Sequence, residues 1–161
     1  MNHLANELQR IIESAAEPLL VIPDAQARAA PQADSWSPKQ IIGHLIDSAA
    51  NNHARFVRAQ YSDDLIFAGY NQAQWVAAQR YDDEAWPALV KLWKSYNLHL
   101  AHIIAHIPDA TLTQVRTRHT LDAIAWQPVS ADEPATLEYL VNDYMGHLKD
   151  HLTPVFDQAQ T

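Results

Sequence analysis

The chain has 161 residues, 48% of them hydrophobic, which is enough to build one domain around a core of its own. Eleven Lys and Arg stand against nineteen Asp and Glu, and the net charge of −8 argues against a nucleic-acid partner, whose binding rests on a basic surface. With no Cys and only three Gly, disulfides, thiolate nucleophiles, iron–sulfur clusters, Cys-type zinc sites and glycine-rich phosphate loops are excluded.

The first helix is expected over residues 2–20, from Asn2 to Leu20, with Leu4, Leu8, Ile11, Ile12 and Ala15 on one face. Glu7, Arg10, Glu13 and Glu17 break every apolar run in it, so it has neither the basic start nor the continuous apolar stretch of a signal peptide. No segment approaches the roughly 18 apolar residues of a membrane span. A cytoplasmic protein with no membrane partner is expected. Pro23 ends the helix, and Asp24 to Ser35 reads as a connecting loop. The second helix, 38–60, has a sharp start: Ser37 as N-cap, Pro38 in the first position and Gln40 completing a capping box. Ile41, Leu45, Ala49 and Phe56 form its apolar stripe. Residues 62–80 read as a loop holding a short helix around Gln72 to Ala78. Asp82 and Asp83 offer an N-cap for a third helix over 83–107, which Pro108 closes. Residues 109–133 carry no clear caps. The fourth helix, 135–157, runs through Leu140, Val141, Tyr144, Leu148, Leu152 and Val155. One domain over 1–161, all-α and built as a four-helix bundle, is the simplest architecture for this pattern.

Nine His in an acidic, Cys-free chain are where chemistry is to be sought. Two His-x-x-x-His pairs occur, His102/His106 and His147/His151, and residues four apart are neighbours on one helical face. Random placement of the histidines would give ~0.5 such pairs, so position on the helix must decide. At about 100° per residue, His99, His102 and His106 fall opposite the Trp93, Leu100 and Ile104 stripe, which marks a solvated face without a metal role. His151 falls inside the apolar arc of the fourth helix, with His147 on its flank. His44 borders the stripe of the second helix together with Ser48, Asn51 and Arg55. A lone His there is more often a hydrogen-bonded core residue. Joined to an inward pair, it completes three neutral imidazoles, and three protein ligands with an open position is the pattern of a catalytic metal site.

At these residues the sequence resembles the DinB/YfiT-like family of bacterial metalloenzymes. The match lies in WSPKQIIGHLIDSAANNHARFVRAQ, Trp36 to Gln60, and in TLEYLVNDYMGHLKDHL, Thr136 to Leu152, and helix count and order extend it over essentially the whole chain. The resemblance implies an up-down-down-up bundle and one divalent cation (nickel, zinc, iron or manganese) held by His44, His147 and His151. It also implies a homodimer and a small-molecule substrate. Relatives include transferases that use low-molecular-weight thiols, a thiol-dependent isomerase and metal-dependent hydrolases.

Two chemistries suit such a site. A thiol, with an ordinary pKa of ~8.5, is stabilised as its anion beside the cation; alternatively, water is acidified towards ~7 for hydrolysis. The absence of Cys is consistent with an external thiol without favouring it over water. Asp47, Asn51 and Arg55 on the second helix, Asn97 on the inward side of the third, and Asp143 are candidates to support the ligands or hold a substrate. Asp143, one turn before His147, is placed to orient an imidazole through its free nitrogen. Asp47, Asn51, Arg55 and Asn97 each read also as ordinary polar residues of a helix surface or of interhelical hydrogen bonds. A different class of function fits the same pattern: a non-catalytic metal-binding or dimeric interaction bundle.

Overall fold

The structure, a computed structural model, describes residues 3–159. Its helices are α1 (His3–Leu20), α2 (Asp24–Arg28), α3 (Pro38–Arg58), α4 (Gln72–Gln79), α5 (Trp86–Ala105), α6 (Asp109–Thr113), α7 (Leu121–Ile124) and α8 (Leu137–Ala159), with a 3-10 turn at Tyr81–Asp83. The expected start of the first helix at Asn2 lies outside the described residues. The four long helices α1, α3, α5 and α8 form the bundle, and α5 and α8 each pack against both α1 and α3.

Named contacts set the directions. The end of α1 meets the start of α5 where Trp86 Nε1 donates to the Leu19 carbonyl at 2.7 Å, so these two run antiparallel. Lys39 Nζ donates to the Glu84 carbonyl at 2.6 Å and His53 Nδ1 lies 3.2 Å from Tyr96 Oη, so α3 and α5 run parallel. His44 faces His151 while Phe56 faces Tyr144, so α8 returns antiparallel to α3. Lys149 bonds Glu7 at 2.7 Å, leaving α8 parallel to α1. The result is the four-helix bundle expected from the pattern, in the up-down-down-up order that the family resemblance implies. Its core includes Leu8, Ile12, Leu45, Trp93, Leu100 and Leu148, all fully buried.

The capping box of α3 is complete: the Ser37 side chain accepts from the Gln40 N–H at 3.2 Å, and the Ser37 N–H donates to Gln40 Oε1 at 2.9 Å. From Pro38 to Ala49 every residue but Gln40 is buried, so the first three turns are covered on all sides rather than on one stripe. Gly43 makes part of that covering possible, because a Cβ there would stand 2.0 Å from the Tyr81 ring.

Three local expectations are corrected. The loop expected from Asp24 contains α2, whose Asp24 carboxylate is held by Lys39 at 2.8 Å. Asp82 and Asp83 do not cap the third long helix. They sit in the 3-10 turn, Asp82 accepts from the Ser37 hydroxyl at 2.7 Å, and the Trp86 N–H finds Asp24 Oδ1 at 3.1 Å instead. Residues 109–133 hold α6 and α7, tied by isolated bridges Leu65–His119 and Arg116–Ala135, with no strand among the described residues. No described helix is long and apolar enough to cross a membrane.

Candidate metal centre

The antiparallel seam between α3 and α8 brings His44, His147 and His151 together: one ligand-capable atom from each lies within 4.8 Å of the others. His44 and His147 are buried and His151 is half-buried. His44 Nε2 and His147 Nε2 stand 3.1 Å apart. Two nitrogens each ~2.0–2.1 Å from a tetrahedral cation would stand roughly 3.3 Å apart, so this spacing suits joint ligation. The ring of His151 is oriented by its Nδ1, which lies 3.1 Å from the His147 carbonyl and donates to it, leaving Nε2 as the lone-pair atom.

Electrostatics agree with that use. Burial, and then the proximity of His151, pushes the His44 imidazole down to about 4. Burial, and then the proximity of His151 and His44, which disfavours a further proton, push His147 down to about 3. Both are therefore neutral at pH 7, the state a cation requires. His44 Nδ1 is buried without a hydrogen-bond partner, an unusual condition for a core imidazole that exists only for packing. The three-His group fits a divalent cation.

A cavity of about 210 Å³ lies above this group, walled by α3 through Ser48, Asn52 and Arg55 and by α8 through Asp143, Tyr144, His147 and His151. The connection between α6 and α8 roofs it with Ala123 to Trp126. Trp126 lies flat on α8 because position 146 is glycine; a Cβ there would stand 2.8 Å from its ring.

The other candidates divide. Arg55 and Asp143 line the cavity, but Asp47, Asn51 and Asn97 do not. Asp47 faces away, accepting from the Tyr81 hydroxyl at 2.6 Å and Gln79 Nε2 at 2.7 Å. Asn51 turns back onto its own helix, donating to the Asp47 carbonyl at 2.9 Å. Asn97 acts at one remove: it donates to the Trp93 carbonyl and accepts from the hydroxyl of Tyr144, which does line the cavity. Asp143 does not orient an imidazole. Its two oxygens accept the Trp126 and Gln127 backbone N–H groups at 2.9 and 2.7 Å, which pins the roof to α8. His102 and His106 are exposed, as their phase on the helix requires.

Residues 5–153 match the DinB superfamily. The chain belongs to that superfamily. No curated protein matches it significantly. Among solved structures it resembles YfiT from Bacillus subtilis, described as a probable metal-dependent hydrolase with an unusual four-helix bundle topology, at a TM-score of 0.78 and 16% identity, over 98% of this chain and 85% of that one. At that identity the likeness speaks for the fold.

In this DinB-superfamily chain, helical phase alone does not reveal the loop residues of the cavity. Tyr70, Gln72 and Trp126 enter it from connections or a connection's edge, where no period marks an inward side. Burial and the neighbouring Asp47 push the Tyr70 phenol up to about 12, so it keeps its proton and remains a donor. Asn52, rather than Asn51, reaches the cavity, one helical position further round the α3 surface. The exposed pair His102/His106 copies the local geometry of the inward pair, with ring centroids 4.4 Å apart against 4.2 Å and the later Nδ1 on the earlier carbonyl. What separates them is the third histidine from α3.

Proposed function

We propose that the protein is a metal-dependent enzyme of one domain in which His44, His147 and His151 hold one divalent cation (nickel, zinc, iron or manganese) at the floor of the cavity. The observation that carries this reading is three converging imidazoles, of which His147 and His151 line a cavity of small-molecule size. When bound, such a cation supplies Lewis acidity, which lowers the pKa of a coordinated thiol or water towards neutrality. The preferred cosubstrate is an external low-molecular-weight thiol transferred to an electrophile, and hydrolysis is the same site's second chemistry.

The chain's own groups perform the rest. The His151 Nδ1–H is committed to the His147 carbonyl, which fixes the ring's tautomer. Tyr144 has its hydroxyl proton on Asn97, so towards the cavity its oxygen is an acceptor, whereas Tyr70 is a donor. Trp126 and the roof held by Asp143 restrict water above the site.

Metal analysis of the purified protein and of His147→Ala tests the site. About one cation per chain is expected in the first and a sharp loss in the second, with a cooperative melt retained because the apolar core stands without metal. Full occupancy in the variant overturns the triad. A screen of electrophiles with several biological thiols, run beside ester and amide hydrolysis, then separates transfer from hydrolysis. An interaction bundle instead of an enzyme would keep its biological effect after loss of the triad.

The same reading makes the protein a cytoplasmic homodimer. It is supported by the family and by the exposed Trp75, whose ring packs on Tyr70 at 4.9 Å. Sedimentation at micromolar concentration is expected to give a dimer, and a monomer refutes it.

A further inference from the structure

Three cationic side chains are buried among the described residues, and the fold treats them differently. Lys39 is neutralised by Asp24 at 2.8 Å and also donates to the Glu84 carbonyl. Arg116 is caged by the carbonyls of Ala59, Thr111 and Gln114 and lines no cavity described above. Arg55, only 7% exposed, has neither arrangement. It donates to Asn52 Oδ1 at 3.4 Å and to the Ala68 carbonyl at 3.2 Å, both neutral acceptors, and among the described residues no carboxylate stands within ion-pair distance of it.

A guanidinium cannot shed its charge at physiological pH, so burying one without a counter-ion is unfavourable. Asp143, the acidic group of the same wall, acts on Arg55 through its charge but forms no ion pair with it, its two oxygens each accepting a backbone N–H of the roof. Arg55 is thus a permanent cation on the cavity wall, donating to Asn52 and Ala68 from a group with about five N–H donors. It lies three turns beyond His44 on the same face of α3, about 16 Å along the axis, so the cavity has a guanidinium towards one end and imidazoles towards the other.

We propose that Arg55 anchors a carboxylate of the substrate, so that this cavity selects small carboxylate-bearing molecules whose reacting end lies at the histidines. The proposal rests on the function read above for the position of the reacting end, but the anchor itself does not need a metal. A net charge of −8 repels anions from the protein as a whole, so their capture requires such a local cation. The cavity of about 210 Å³ is smaller than the ~300–1,000 Å³ of drug-sized sites, which favours a metabolite-sized acid. Guanidinium and carboxylate also match in shape, since two parallel N–H donors meet two oxygens.

The test uses the full chain, stripped of metal, titrated with hexanoate and with its neutral counterpart hexanamide. Hexanoate is expected to bind about ten- to a hundredfold more tightly, the range for a charged hydrogen-bonded pair. Arg55→Gln should abolish the difference, and Arg55→Lys, which keeps the charge but not the fork, should retain part of it. Equal affinities in the wild type, no binding of either compound, or a preference that survives in a folded Arg55→Gln each overturn the proposal. Should Arg55→Gln fail to fold, the wild-type preference and its reduction in Arg55→Lys decide. A preference for hexanoate in a protein that takes up no metal would sink the metal reading and still support the anchor; metal uptake without the preference would do the reverse.

Discussion

Acidification should destabilise the metal-free protein chiefly through His44 and His147, with His53, lowered by burial and by His99, adding in the same direction. Unfolded, His44 and His147 titrate near 6.5; folded, burial holds them at about 4 and about 3. As pH falls below 6.5 the unfolded chain takes up protons that the folded one refuses, so stability is lost through the window between the two values. Integrated from pH 7 to pH 5, each group removes about 2 kcal/mol and the pair about 4 kcal/mol. At about 2–4 °C per kcal/mol for a chain of this length, the melting temperature of chelator-treated protein should fall by about 8–16 °C. Asp47 and Asp143, both raised mainly by burial, take up protons earlier in the folded state and oppose the trend at lower pH, which is why the reading is confined to pH 7–5. His147→Gln should lose about half of the dependence. A wild-type change of less than about 3 °C, or an undiminished change in His147→Gln, would refute the assignment of these two imidazoles as buried and neutral.

Other outcomes follow from single contacts. Gly43→Ala should destabilise the protein by about 2–5 kcal/mol, although alanine is the better helix former, because its Cβ would meet the Tyr81 ring and displace the hydroxyl from Asp47. Urea unfolding would measure it, and a neutral or stabilising result would contradict the packing. Replacing His102 and His106 together by Gln should leave metal content unchanged and stability within about 0.5 kcal/mol, since both are exposed; lost metal would show that the cation is held elsewhere than proposed.

What the chain discloses in advance follows the range of each interaction. The start of α3 is legible because Ser37, Pro38 and Gln40 complete one another within four residues. The grouping of His44, His147 and His151 is legible in part, because helical phase puts His151 in an apolar arc and His147 and His44 on the borders of theirs, and the bundle then brings those faces together. The start of α5 is not, because its cap comes from Asp24, far away in the chain. The same limit governs Asp143: its place one turn before His147 suggests an imidazole partner, yet two backbone N–H groups of a distant connection claim it. Asn51 and Asn52 are separated by only about 100° of helix, finer than a hydrophobic stripe resolves.

The arrangement of the cavity follows from helix geometry as much as from chemistry. Residues three turns apart on α3, His44 and Arg55, share a face, and the antiparallel α8 sets His147 against the first while Asp143 lies towards the second. A molecule lying in the seam therefore meets imidazoles at one end and a guanidinium at the other, whichever loops cover it. The roof adds enclosure: Trp126 closes on Gly146, and Asp143 holds the backbone that carries it. Because α1 and α5 contribute much of the core through Leu8, Ile12, Trp93 and Leu100, the polar groups of the α3–α8 seam can remain unneutralised without undoing the bundle. Stability and binding are thus carried by different faces of α3, which is why substitution of a site histidine should empty the site before it unfolds the chain.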